Sequence, residues 1–309
     1  MSEVLVHVPA TTANLGPGFD CLAMALDLWN DLSIELAGEG LAIRIHGEGE
    51  DSLPRDGSNL VWQAMQRVFA LTGCQAPEGI SLLCNNQIPL GSGLGSSAAA
   101  VLAGLLGANE LCGNLLSREQ LLALAVEMEG HPDNAAAAEA GGLVLVGNTG
   151  TRLITYPLGM VRVGGEPLQA AVVLPDFQLT THAARAALPA AVPMADAVFN
   201  NAMTALVVQA LLDGDMELLG EVMQDRLHQP YRLNLIPGAE AAIRAARESG
   251  AAAAVLSGAG PSVIAFGLVD MQSAAEAMAS AFRQAGLSAR TFTLQVSEVG
   301  ASVERVEQW

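Results

Sequence analysis

Residues 88–99 read Ile-Pro-Leu-Gly-Ser-Gly-Leu-Gly-Ser-Ser-Ala-Ala, and this stretch restricts the fold more tightly than any other. Three closely spaced glycines permit positive φ and close backbone approach, so the chain can turn sharply here. The segment that follows, 96–111, is rich in Ala and Leu and predicts a helix. The first turn of such a helix leaves backbone N–H groups unpaired and carries about half a unit of positive charge. Ahead of the turn, 80–85 reads as a strand. A strand, a glycine turn and a helix N-terminus together attract anionic oxygens, and the turn is read as a phosphate loop.

The chain's 14 basic residues are all arginine, and the absence of lysine excludes several ways of using phosphate. A Walker A loop, the strand lysine of protein kinases and Schiff-base chemistry all need an amine. A dinucleotide fingerprint also fits poorly, because Gly91, Gly93 and Gly95 lie deep in the chain with the wrong spacing. Phosphate is therefore expected to be held by amides, hydroxyls, a metal and arginine. With a net charge of −18, the chain would repel nucleic acid and anionic membrane, which leaves small molecules as the expected partners. Cys21, Cys74, Cys84 and Cys112 have neither zinc-ligand nor disulfide-framework spacing and read as buried thiols. The first residues lack a basic start and a long apolar run, so a cytoplasmic, unprocessed protein is expected. Oligomeric state is left open, with a homodimer as the alternative to a monomer.

Along the chain, 4–8 predicts a first strand ending at Pro9, with an irregular loop over 10–20. Strands are expected over 26–36, 41–46 and 141–146, and helices over 59–72, 117–129 and 133–140, the middle one opened by a capping box at Ser117 and Gln120. A break over 157–167 divides the chain into halves at 1–160 and 161–309. In the second half, strands over 170–174, 252–256, 262–266 and 290–294 mix with helices over 194–212, 216–223, 239–248 and 272–285. This order suggests an antiparallel sheet backed by helices, hence an α+β fold. The final residues, to Trp309, are expected to be loosely held.

Three blocks now carry a resemblance: Pro9-Ala10-Thr11-Thr12-Ala13-Asn14-Leu15-Gly16-Pro17-Gly18-Phe19-Asp20, the glycine loop, and Leu256-Ser257-Gly258-Ala259-Gly260-Pro261-Ser262. Their order and spacing resemble the three motifs of the GHMP small-molecule kinases over essentially the whole chain. That resemblance implies a two-domain α+β fold, with an N-terminal domain like the second domain of ribosomal protein S5 and a ferredoxin-like C-terminal domain. It also implies ATP and Mg²⁺. Within the family, residues 127–134, the pair Thr181 and Arg185, and Tyr231-Arg232 resemble the members that phosphorylate homoserine. The implied reaction is direct in-line attack of the substrate hydroxyl on the γ-phosphate, because no lysine can assist. Other GHMP kinases, of mevalonate or sugar type, and a catalytically silent sensor on the same scaffold are the alternatives.

The resemblance also implies roles for individual residues. Pro89, Leu90, Gly91, Ser92, Gly93, Leu94, Gly95, Ser96, Ser97, Ala98 and Ala99 would surround the ATP phosphates, and Asn59 would lie near adenine. Ser97 and Glu127 would ligate the metal. A helical wheel places Glu129 beside the apolar stripe and Glu127 nearly opposite, so the wheel does not choose between them and resemblance favours Glu127. Asn14 and Asp20 would read the substrate's alcohol and ammonium, although both are also common turn formers. His131 and Asn134 would line the same site, with helix capping as the competing role for Asn134. Thr181 would touch the hydroxyl, Arg185 and Arg232 would hold the carboxylate, and Gly258 would close over the site.

Overall fold

Burial alternates along Val4, Val6 and Val8, and this period-two pattern begins the first of two main sheets. The computed structural model describes residues 2–36, 38–267 and 271–307. The first part of the chain runs β1 (Ser2–Ala13), β2 (Leu22–Glu35), β3 (Gly40–Gly47), α1 (Leu60–Thr72), β4 (Gly79–Asn86), α2 (Ser96–Leu111), α3 (Arg118–Glu129), α4 (Asp133–Ala140), β5 (Leu143–Asn148) and β6 (Leu153–Gly159). A short hairpin, β7 (Arg162–Val163) and β8 (Glu166–Pro167), leads to β9 (Gln169–Pro175). Then come α5 (Thr181–Ala186), α6 (Met194–Asp213), α7 (Met216–Val222), α8 (Gln229–Leu233) and α9 (Ala239–Glu248). The chain closes with β10 (Ala253–Leu256), β11 (Val263–Gly267), α10 (Met271–Gln284), β12 (Ala289–Gln295) and β13 (Ser302–Glu307).

The first sheet has the order β13-β1-β2-β4-β3, with β5 added to β2 and β6 to β5. Long β2 is shared: residues 30–35 pair with β4, and Leu22, Ala23 and Met24 pair with β5. Helix α2 is apolar on every side and so takes the centre of the core, where Val101, Leu102 and Leu105 are buried. Gly104 is the point where α1 crosses it, since a Cβ there would stand 2.3 Å from the Val61 carbonyl oxygen.

The second sheet is antiparallel in the order β10-β11-β9-β12, and Phe282 and Met278 of α10 and Ala242 of α9 share its core with Val173 and Val263. The β9–helix–β10–β11–α10–β12 succession is the ferredoxin-like arrangement. An α+β fold in two parts is therefore what the chain adopts.

Three departures from the sequence-based expectation have physical causes. Strand β1 does not end at Pro9; it shifts register between Pro9 and Ala10 and continues to Ala13, because a bulge accommodates a residue without an N–H. The connection expected over 10–20 therefore shrinks, and β2 starts at Leu22. The chain's end is held rather than loose: β13 pairs antiparallel with β1, Glu3 opposite Val306, and covers what would otherwise be an open sheet edge. Residues 161–309 thus contain one strand of the first sheet, while Gln308 and Trp309 lie outside the described residues.

Candidate active site

The phosphate loop is built by neighbours that leave no room for side chains at two of its glycines. A Cβ on Gly93 would lie 2.2 Å from the Ser257 carbonyl oxygen, and one on Gly95 would lie 2.0 Å from Thr11 Oγ1. Both residues also have positive φ, 81° and 74°. The three sequence blocks meet here: Thr11 N donates to Leu94 O at 3.0 Å, Ser257 Oγ donates to Gly93 O at 2.8 Å, and Gly258 N donates to Ala13 O at 3.1 Å. Ser92 serves the loop itself, donating to Pro89 O at 2.7 Å and accepting from Leu94 N. Leu94, Ala98 and Ala99 are buried and can contribute backbone only. Helix α2 starts at Ser96 after an N-cap glycine and has no side-chain cap, so its first amides open on the cavity.

Two cavities flank this helix start. The larger, about 740 Å³, takes in Asn14, Asp20, His131, Thr181, Arg185 and Arg232, and the smaller, about 360 Å³, takes in Asn59 and Leu53. Both share Leu90, Gly91, Ser96 and Ser97 as a common wall. Asn59 caps α1, accepting from Val61 N at 3.0 Å and donating to Pro54 O at 2.7 Å, so it shapes the smaller cavity while its amide holds the helix start.

Glu127, which the resemblance implies as a metal ligand, stands apart from the phosphate loop. Its carboxylate pairs with Arg67 on the exposed surface, outside both cavities. Ser97 Oγ instead donates to Glu129 Oε1 at 2.6 Å, and Glu129 lines the larger cavity. Leu121, Leu122 and Ala125 seat α3 against the core, and that rotation turns Glu129 toward α2 and Glu127 toward α1. No group of three or more His, Cys, Asp or Glu suited to a metal exists among the described residues. One carboxylate and one neutral hydroxyl nevertheless suit Mg²⁺, a hard cation that commonly takes one or two carboxylates and completes its shell with phosphate and water.

In the same larger cavity as Ser97, Asp20 and Arg185 form a two-pronged pair. Hydrogen bonding to Asp20 raises the Arg185 pKa further. Asn14 is buried with φ of 70°, donates to Gly258 O at 2.8 Å and accepts from Asp20 N at 3.0 Å. Its amide therefore locks the loop that presents Asp20, which is the turn-forming role. Asn134 is anchored too, its Oδ1 accepting from Thr11 Oγ1 at 2.8 Å. His131 Nδ1 donates to the buried Asp133 carboxylate at 3.1 Å, and that bond raises the histidine pKa against the opposing effect of burial. Arg232 is 1% exposed, and burial together with nearby Arg185 pushes its pKa down.

With this geometry in place, similarity to known proteins becomes informative. The family model for the GHMP kinases N-terminal domain matches residues 59–142, and that for the GHMP kinases C-terminal region matches 207–286. A homoserine kinase of Moorella thermoacetica is 45% identical over 303 residues, covering 97% of this chain and 99% of that protein. The chain belongs to the GHMP kinase family. A homoserine kinase of a Synechococcus species is 41% identical, covering 99% of this chain and 97% of that protein. The crystal structure of homoserine kinase from Cytophaga hutchinsonii is 31% identical, with a TM-score of 0.83 over 98% of this chain and 97% of that one. The crystal structure of L. major mevalonate kinase in complex with R-mevalonate is 17% identical at a TM-score of 0.73 over 95% of this chain and 96% of that one, a likeness of fold alone.

In this GHMP kinase, sequence reasoning passed over Thr11, Phe19 and Ser257 as contributors to the site. Each lies inside a recognised block, so the signal was present, but their contacts span 123 residues for Thr11 to Asn134 and 164 for Ser257 to Gly93. Phe19 places its ring under both cavity arginines, 5.7 Å from Arg185 Cζ and 5.1 Å from Arg232 Cζ. The two short helices that carry Arg185 and Arg232 were also not expected. One described helix, α6, is long and apolar enough to cross a membrane by length and composition. Its Asn200 and Thr204 donate to the Pro17 carbonyl at 3.1 and 2.9 Å, which ties α6 to the loop carrying Asp20.

Proposed function

We propose that this kinase transfers the γ-phosphoryl group of ATP to the side-chain hydroxyl of L-homoserine, giving O-phospho-L-homoserine for threonine synthesis. One observation carries the reading beyond the full-length relatives: the Asp20 carboxylate and the Arg185 and Arg232 guanidinium groups line the same cavity beside the phosphate loop. An α-amino acid presents the complementary pair. Its ammonium suits Asp20, and its carboxylate suits the planar forks of Arg185 and Arg232. Binding would then exchange the Asp20–Arg185 pair for two ligand-mediated pairs, so neither charge is left alone.

Anchored at its α-carbon, the substrate directs its hydroxyl toward Ser97 and the start of α2, with Thr181, His131 and Asn134 alongside. Backbone amides of the loop and the α2 terminus meet the phosphates, and the smaller cavity takes the nucleoside. Ser97 and Glu129 would hold Mg²⁺, which when bound neutralises phosphate charge. Asp133 Oδ1 accepts from His131 Nδ1 and from the Asn134 backbone N–H at 2.8 Å, and the chain has no lysine to pair with this carboxylate, which supports attack by the aligned hydroxyl without a lysine-aspartate base. The free cysteines and the acidic charge support a reducing cytoplasm with small-molecule partners.

Coupled measurement of ADP release with L-homoserine, mevalonate or galactose as acceptor tests the reading. Turnover is expected with homoserine alone, and Ser97→Ala should lower it by at least about tenfold. ATP binding with no product from any acceptor would instead indicate a silent sensor.

A further inference from the structure

His228 is buried completely, and both of its ring nitrogens are engaged. Nε2 lies 2.8 Å from the Gly16 carbonyl oxygen, which can only accept, so Nε2 carries the proton. Nδ1 then presents a lone pair, and Arg232 Nη1 donates to it at 3.2 Å. The same Nη1 also donates to Gly258 O at 3.3 Å, while Nε donates to Ala184 O at 3.4 Å. Three acceptors therefore hold two of the three guanidinium nitrogens, and Nη2 has no hydrogen-bond partner among the described residues. Arg232 lines the substrate cavity, so this third nitrogen is the one left for a ligand.

We propose that His228 is a positioning residue for the substrate carboxylate: locked as the Nε2–H tautomer by Gly16, it orients Arg232 as a neutral acceptor and leaves the guanidinium charge for the ligand. This rests on the reading of Arg232 as a carboxylate ligand. A carboxylate in the place of His228 would orient Arg232 equally well, but it would neutralise the charge and compete with the substrate. Burial lowers the His228 pKa, which keeps the ring neutral. The nearest carboxylate, Asp225, stands 3.6 Å from Nε2 but is occupied elsewhere. It accepts from Asn200 Nδ2 and from the backbone N–H groups of Leu227, His228 and Gln229 at 2.6–3.0 Å. Phe19 completes the support, stacked on the imidazole with ring centroids 5.1 Å apart.

The test compares two variants on two ligands. Gln at 228 reaches the Nε2 position and keeps a donor for Gly16 but offers nothing at Nδ1, whereas Asn places an oxygen near Nδ1 and keeps the acceptor for Arg232. L-homoserine is measured against 3-aminopropan-1-ol, the same alcohol and ammonium without the carboxylate, using KM or, for a poor substrate, competitive Ki. His228→Gln should cut the preference for homoserine by about tenfold through its KM, with the ATP KM within about twofold, and His228→Asn should keep most of that preference. Thermal melts of both variants accompany the kinetics. An unchanged preference in His228→Gln overturns the proposal, as does an equal loss in both variants that follows their melting temperatures. A wild-type enzyme that fails to phosphorylate homoserine sinks the reading of the site itself, whereas an active wild type with either overturning result sinks only this inference.

Discussion

Arg185 and Asp20 meet through two parallel hydrogen bonds, Nη1 to Oδ2 at 2.9 Å and Nη2 to Oδ1 at 2.8 Å, although 165 residues separate them in the chain. Both side chains are about one-third exposed, so solvent screens the pair and its contribution to folding stability is small. Its significance lies in position, where a zwitterion can insert. Asp20→Asn removes the ammonium partner and keeps the shape. The expected outcome in steady-state kinetics is a homoserine KM raised by about tenfold or more, with the ATP KM within about twofold. Equal increases for both substrates would contradict this assignment.

The two glutamates at the end of α3 should separate cleanly in a magnesium titration. Glu129→Gln is expected to raise the Mg²⁺ concentration for half-maximal rate by about tenfold. Glu127→Gln should leave it unchanged and lower stability by at most about 1 kcal/mol, the worth of an exposed ion pair. A shift caused by Glu127→Gln instead would restore the assignment that resemblance favoured.

Glycines 91 and 93 share positive φ but not surroundings. Gly91 has open space around a built Cβ, whereas Gly93 faces a backbone carbonyl. Gly91→Ala should cost only the left-handed strain of alanine, about 1–2 kcal/mol. Gly93→Ala must also push the 257–260 turn off the loop. Calorimetry is expected to show a larger fall in melting temperature for Gly93→Ala together with loss of ATP binding. Matching melts and matching ATP affinities would remove the Ser257 contact from the account.

His131 makes stability depend on pH in a defined direction. Its folded pKa is raised by Asp133, so its stabilising contribution is fully present below the unfolded value near 6.5 and is lost as pH rises through the higher folded value. Denaturant unfolding of wild type and His131→Asn at pH 5.5 and 8.5 should show a larger wild-type advantage at the acid pH. The opposite slope from buried His228 is common to both proteins and cancels in the difference. A wild-type advantage that grows toward pH 8.5 would reverse the sign and refute the His131–Asp133 bond.

Cys21 and Cys84 are thiols that burial pushes up to about 11. Iodoacetamide at pH 8 should leave both intact in the folded protein and modify them on unfolding, as peptide mass spectrometry would record. Rapid labelling of the native protein at either position would contradict these raised pKa values.

How far the chain itself revealed this protein varies from element to element. The capping box at Ser117 and Gln120 forms as the local pattern requires, and α2 begins at Ser96 and ends at Leu111 as its composition suggests. These features depend on contacts within a few residues. Helices α5 and α8 are only 6 and 5 residues long, too short for a period to appear, yet they present Arg185 and Arg232. Strand β13 has little apolar content and forms because β1 needs a partner, which a local reading cannot register.

Sequence by itself determined the glycine turn with its uncapped helix, the exclusion of lysine chemistry and the residue types available to an amino-acid ligand, because each is a property of composition or of neighbours along the chain. Tertiary structure alone decided that Glu129 rather than Glu127 faces Ser97, that Asp20 pairs with Arg185, and that Arg232 donates to His228. Those outcomes depend on how helices rotate and loops cross when distant segments pack, and side chains a few residues apart on one helix face different partners according to what lies against it.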